Sequence, residues 1–499
     1  MSAHADEKSD KGIVPKKQSN KEGMPLAETA EGRPLPKGNS HQSTAVRTPS
    51  RAAASSGLMA VRQAAQQAKD VQFTALLHHI TIVLLRQSCL ALKRNAASGC
   101  DGVTWQAYGE NLEDKLKDLH DRVHKGSYRA RPAKRTYIPK ADGSQRPLSI
   151  WCLEDKIVQQ AVVKVLEAVY EEDFIGFSYG FRPERSQHDA LDALNAGIYR
   201  RRVDWVLDAD IQGFFDAMSH DWIIRFLKHR IADKRILRLV VKWLKVGTVD
   251  DGCVTRCKRG APQGAVISPI LANIYLHYAY DLWVHRWRRT TATGDVVVIR
   301  YADDTVVGFQ HEREALAFLE ELKERLRLFD LTLHPRKTRL IRFGRFAASQ
   351  CRQRGEGKPE TFDFLGFTHF CTRSRNGAKF VLGRRTIKKR MREQLKVIKT
   401  ELRRRLHGSI GETGEWLNRV LTGHLNYYAV PGNGRSLGWF FYQVRWQWLR
   451  ALRRRSQRSR MDWQRFARIA RRFIPPIRIL HPLPGDRFDA RTQGRSPVR

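Results

Sequence analysis

An α+β fold is predicted, with mixed strands and helices over residues 67–380 and helices alone over 381–499, behind a disordered polar tail at 1–66. Three observations carry it. Short β-branched runs meet at turn residues, as Val296 to Ile299 and Thr305 to Val307 do around Tyr301-Ala302-Asp303-Asp304. Apolar stripes at helical spacing lie between such runs. After Asn376-Gly377, flanked by Phe367 to Cys371 and Phe380 to Leu382, strand signals stop.

In chain order, the first 60 or so residues are rich in Lys, Ser, Pro, Gly, Ala and Glu and offer little to build a core. Phe73, Leu76, Leu77, Ile80, Val83 and Leu84 recur at helical spacing and open the ordered part, with short helices expected to Val123. Thr136 to Leu148 reads as two strands around Asp142-Gly143, a basic hairpin bearing Lys140 and Arg146. Ile157, Val158, Ala161, Val162, Val165, Leu166 and Val169 form a wide helical stripe. Ser186 caps a helix containing Leu191, Leu194 and Ile198. Ser219 caps another through Lys228, and Ser268-Pro269 opens one running from Leu271 to Trp283. Toward the end, Gly-rich loops at His407 to Gly414 and Pro431 to Gly438 separate helices bearing Trp439, Tyr442, Trp446 and Trp448.

Composition narrows the partner. Lys and Arg total 90 against 51 acids, a formal charge of +39 that would repel itself without a polyanion. From Leu417 to Arg499 there are 18 Arg, 3 Asp and neither Lys nor Glu. No apolar run approaches the ~20 residues of a membrane span, and the start lacks a secretory signal, so an intracellular, cytoplasmic location is expected. The odd count of 7 cysteines reads as reduced thiols. Cys253 and Cys257 lack the companion pair a zinc finger needs. Neither a phosphate-binding Walker loop nor a dinucleotide fingerprint occurs.

The chemistry concentrates on acids. Asp303 and Asp304 are expected on the tip of a hairpin, and Asp210 ends another apolar run just before Gly213-Phe214-Phe215. Carboxylates are hard oxygen ligands, and two Mg²⁺ ions held roughly 3.5 to 4 Å apart by such groups support phosphoryl transfer. Alone, the Asp pair would equally fit a polar turn.

Four segments in order resemble the group II intron-encoded reverse transcriptase and maturase family, over roughly residues 70 to 499. They are Ile138-Pro139-Lys140 with Arg146-Pro147-Leu148, then Asp210-Ile211-Gln212-Gly213-Phe214-Phe215, then Ala261-Pro262-Gln263-Gly264 with Ser268-Pro269-Ile270-Leu271, and Tyr301-Ala302-Asp303-Asp304. The resemblance implies a right-hand polymerase of fingers, palm and thumb with a helical C-terminal maturase/thumb domain. It implies that Asp210, Asp303 and Asp304 hold two Mg²⁺, with the Ile211 carbonyl as a further ligand. Lys140 and Arg146 would grip the incoming triphosphate, Phe215 would press on its sugar, and Gln263 would lie near nucleotide and template. Lys337, within Leu333-His334-Pro335-Arg336-Lys337-Thr338, matches a proton donor to pyrophosphate, although His-Pro departs from the family's more acidic pattern here. Leu365-Gly366 matches the primer grip, where a bulge in a core strand is the alternative.

The implied activity is RNA-directed DNA polymerisation, joined to maturase assistance of intron splicing. The implied partners are intron RNA, an RNA template with DNA primer, dNTPs and target DNA, in a ribonucleoprotein and with no membrane. No paired cysteines of a DNA endonuclease domain follow the Arg-rich helices, so DNA cleavage is not expected. A retron-like or defence-associated reverse transcriptase, and a non-polymerising RNA-binding splicing factor, are the alternatives.

Overall fold

The computed structural model describes residues 49–139, 145–250, 252–256, 259–261, 263–374, 377, 379–455 and 461–492. Lys140, the Asp142-Gly143 turn, Cys257, Pro262, Asn376 and the tail before residue 49 lie outside the described residues, as does the side chain of Arg146. Pro49–Gln67 is a helix, so helical structure begins well before the expected boundary at 67. An Ala-rich run costs little to order as helix, and Val61 and Ala65 are buried in the main core.

The next stretch also departs from expectation. Phe73 bridges to Ile231, Leu77–His79 is a single 3₁₀ turn, and the helix begins only at Ile82, capped by Thr81. The reason is tertiary. Asp233 Oδ2 accepts from the Leu76 and Leu77 amides at 2.8 and 3.0 Å, so that backbone is hydrogen-bonded to a distant segment rather than to its own turn.

The strands are β1 (Ala133–Pro139), β2 (Gln145–Ile150), β3 (Trp205–Ala209), β4 (Thr248–Asp250), β5 (Cys253–Thr255), β6 (Val296–Tyr301), β7 (Asp304–Phe309), β8 (Arg339–Arg342), β9 (Phe362–Phe364), β10 (Phe367–Arg373) and β11 (Phe380–Thr386). They form three sheets, ordered β2-β1-β4-β5, β6-β7-β3-β8 and β11-β10-β9. The expected basic hairpin is present as β1 and β2, with Pro139 opposite Gln145. The hairpin expected around Gly377 is β10 and β11.

The sheet β6-β7-β3-β8 is antiparallel throughout and covered on both faces. Leu207, Ala209, Val298 and Val307 point into the main core, while Val206, Val297, Ile299, Val306 and Ile341 point into a second. Helices Leu153–Tyr170, Ser268–Leu276 and Glu312–Arg327 contribute to the first cluster, and Gln187–Arg200, held by a Ser186–Asp189 capping box, to the second. Ser219 occupies a cap position without a side-chain cap bond, and the helix expected from Leu271 to Trp283 starts at Ser268 and passes through a π-helical stretch at His277–Asp281.

A third core unites Lys388–Arg404, Ile410–Tyr428, Gly434–Arg453 and Trp463–Phe473 into a helical bundle. The two Gly-rich loops are shorter than expected, because helices already begin at Ile410 and Gly434. Helix Pro484–Thr492 leaves that bundle and packs on Gln187–Arg200. Phe488 enters the second core there, and Arg200 pairs with Asp489 at 2.7 and 2.6 Å.

Candidate active site

Strand register brings the three acids to one end of the β6-β7-β3-β8 sheet. Tyr301 pairs with Asp304, leaving Ala302-Asp303 as a two-residue turn, and Ala302 takes φ +53°. Ala209 pairs with Thr305, so one step further along both strands sets Asp210 beside Asp304. Cross-strand neighbours share a face. All three acids are buried.

The segment 332–338 fixes Asp210 from the other side. The Asp210 carbonyl accepts from His334 N at 2.6 Å and Thr338 Oγ1 at 3.1 Å, and its amide donates to Thr338 Oγ1 at 3.3 Å. Ile211 bridges to Leu333 in the same way. Lys337 is thereby carried to the site, its Nζ 3.5 Å from Asp210 Oδ2. Both Asp210 carboxylate oxygens are buried without a hydrogen bond. Burying such a charge is costly; the Lys337 ammonium offsets part of that cost, and a bound cation would offset more. Among the described residues no three His, Cys, Asp or Glu side chains stand close enough together to form a ready-made ion site. The donor chemistry nonetheless fits a hard divalent ion.

One backbone and one side-chain contact join the segments bearing Phe215 and Gln263. Ala261 N donates to Phe215 O at 2.7 Å, and Gln263 Nε2 reaches both oxygens of Asp216 at 3.2 Å. Gln263 O also accepts from Ser149 N at 2.7 Å, tying this turn to β2. Phe215 is half-buried and meets Phe214 edge-on. Arg146 stands on β2 opposite Ile138.

Leu365 and Gly366 are not a bulge. They are the two-residue turn between β9 and β10, with φ +44° and +83°, a pair of left-handed positions that favours Gly at the second. Leu365 is buried and its carbonyl accepts from Tyr427 Oη at 2.8 Å. A Cβ on Gly366 would stand 3.2 Å from Arg390, Tyr427 and Tyr428, so the turn nests against the helical bundle.

One buried group that the motifs do not mark supports the acid-bearing turn. Arg300, on β6, is 1% exposed. Its Nε and Nη2 meet Asp281 at 2.7 and 2.5 Å, Nη1 donates to Ala302 O at 2.7 Å and Asn273 Oδ1 at 3.2 Å, and Nη2 donates to Ser178 Oγ at 2.6 Å. All five guanidinium N–H groups are thus committed. Burial pushes the Asp281 carboxyl up while Arg300 pulls it down. Asn273 also donates to Gly180 O at 2.7 Å, and Gly180 lies so close beneath the turn that a Cβ there would be 2.1 Å from Ala302 N. The sequence signal was a lone charge inside Val-Val-Val-Ile-Arg-Tyr, a strand buried on both faces.

A cavity of 1190 Å³ opens elsewhere, bordered by Arg129, Lys242, Lys245, Arg256 and Arg259 beside Ser219 and His220. None of the three acids lines it. No helix among the described residues is long and apolar enough to cross a membrane.

Residues 138–369 match the reverse transcriptase (RNA-dependent DNA polymerase) family. Over 246 residues the chain is 37% identical to protein YkfC of Escherichia coli K12, covering 44% of this chain and 65% of that protein. It is 38% identical over 166 residues to the group II intron-encoded protein LtrA of Lactococcus lactis subsp. cremoris, covering 33% of this chain and 27% of LtrA. A putative COX1/OXI3 intron 2 protein of Saccharomyces cerevisiae is 33% identical over 210 residues, covering 42% of this chain and 24% of that protein. The match therefore spans less than two thirds of each of these relatives.

Proposed function

We propose that the chain is a group II intron-type reverse transcriptase and maturase, an RNA-directed DNA polymerase that also assists splicing of its intron RNA; the reverse transcriptase match over residues 138–369 and the similarity to LtrA and the yeast intron 2 protein support this reading. The reading rests foremost on the strand register that sets Asp210 beside Asp304, with Asp303 on the adjoining turn. In it, β3, β6, β7 and β8 form the palm, the β1–β2 hairpin belongs to the fingers within 67–380, and 381–499 is the thumb and maturase region.

Asp210, Asp303 and Asp304, with the Ile211 carbonyl, would hold two Mg²⁺, which when bound supply charge neutralisation and a more acidic primer hydroxyl. The protein's part is placement. The primer 3′-hydroxyl attacks the α-phosphate of a dNTP in line, and pyrophosphate departs. Lys337, beside Asp210, donates a proton to the departing pyrophosphate. Lys140 and Arg146 grip the triphosphate with charge-assisted hydrogen bonds. Phe215 bears on the sugar, and Gln263, braced by Asp216, borders nucleotide and template. At the primer-grip position Leu365 and Gly366 are both buried against the helical bundle, so the turn would act on the primer by placing that bundle rather than by its own surface.

Intron RNA, target DNA and the template–primer duplex are the macromolecular partners, in a cytoplasmic ribonucleoprotein. Phosphate contacts from the Arg-rich bundle make RNA affinity fall steeply with salt. The test is primer extension on poly(rA) with oligo(dT) and Mg²⁺. Extension by the wild type, lost in Asp303→Ala while RNA affinity is kept, supports the reading. A wild-type rate no greater than that of Asp303→Ala leaves only an RNA-binding splicing factor.

A further inference from the structure

Helix Gly434–Arg453 buries Leu437, Phe440, Phe441, Val444, Trp448, Leu449 and Leu452 in the bundle core. That face explains why it folds. Its opposite face is unusual, because Trp439, Tyr442 and Trp446 are 45%, 51% and 39% exposed. With Arg435, Arg450 and Arg453 they recur every three or four residues, which places all six on one line along the helix. The line reads Arg-Trp-Tyr-Trp-Arg-Arg. The helix carries no acid, and the Arg450 guanidinium lies 4.9 Å over the Trp446 ring.

We propose that this stripe is a docking surface for unpaired RNA nucleotides, the aromatic rings taking bases and the flanking arginines taking their phosphates. The inference deepens the RNA-binding reading and rests on it. Exposed rings in a row offer π-faces that any base can stack on, provided the base is not already sandwiched in a duplex. Successive rings rise about 5 Å along the helix, more than the ~3.4 Å between bases stacked in a strand. Such a ladder therefore suits bases splayed apart, as in loops and bulges. Arginine at both ends supplies charge complementarity to phosphate and, as at Trp446, can itself stack. A second copy of the chain fits poorly, since a two-fold contact would set Arg435 and Arg450 rows against their own kind.

The test uses the full chain with its template–primer site filled by a blocked hybrid. Affinity is measured across a salt series for an unstructured oligouridylate and for an RNA duplex of equal length. Trp439→Ala/Tyr442→Ala/Trp446→Ala should lose tenfold to a hundredfold in affinity for the single strand, with an unchanged salt slope and duplex affinity within about twofold. Arg435→Gln/Arg450→Gln should weaken both RNAs and reduce the single-strand salt slope by roughly 1.4, about 0.7 for each phosphate contact. Trp439→Phe, which keeps a ring, should fall between, and matching melting curves show that all variants fold. Wild-type single-strand affinity in the triple variant, equal losses on both RNAs, or loss of a dimer in light scattering would each overturn the proposal. Primer extension on the same preparations reports separately on the polymerase reading, so the stripe can fail while that reading stands.

Discussion

Replacing Arg300 tests whether its buried network only stabilises the fold or also aims the acid-bearing turn. Arg300→Met strands Asp281, a fully buried carboxylate, and removes the donors to Ala302 O, Asn273 and Ser178. Breaking one partner of such a pair costs about 3 to 5 kcal/mol of stability. Replacing both partners with apolar groups of similar volume is often nearly neutral, so Arg300→Met/Asp281→Leu should recover most of it. The Ala302 carbonyl would still lack its 2.7 Å donor, one of the contacts that hold the turn carrying Asp303. A lost positioning bond of about 1.5 to 3 kcal/mol corresponds to a drop of roughly 10- to 100-fold in primer extension. Urea unfolding and single-nucleotide incorporation on the wild type, single and double variants separate the two effects. A double variant as stable and as active as the wild type would refute the positioning role.

Other expectations concern the same sheet end and the buried rings. Gly180→Ala should cost on the order of 1 to 3 kcal/mol and slow nucleotide addition, because its Cβ would fall 2.1 Å from Ala302 N; unchanged urea midpoint and rate would count against the close packing. Lys337→Gln should lower the maximal rate by about 10² with little change in template–primer affinity, measured by burst kinetics. Burial holds His188, His277 and His369 down to about 3 and His424 to about 4. Folded values below the unfolded 6.5 mean that this stability is present above pH 6.5 and lost as pH falls toward 3 to 4, at roughly 1.4 kcal/mol per ring by pH 5.5. His424→Phe, at a ring stacked 3.9 Å from Phe440, should flatten its share of that loss in urea titrations at pH 7 and 5.5.

What the sequence determined by itself was local and periodic. Short β-branched runs marked β6 and β7 and therefore the turn bearing Asp303 and Asp304, and Ser186 announced a helix cap, because such signals are written within a few consecutive residues. The order of acids, basic hairpin and Arg-rich helices was legible for the same reason. Tertiary structure decided whatever depends on residues far apart in the chain. It set Asp210 beside Asp304 through strand register, took the amides of Leu76 and Leu77 out of an expected helix for Asp233, and buried Arg300 against Asp281 and Ser178. It also left one face of Gly434–Arg453 bare while its opposite face packed, which no helical pattern alone distinguishes. A hydrogen-bonding group or an apolar ring carries no record in sequence of which distant partner will satisfy it, and only the closed fold makes that choice.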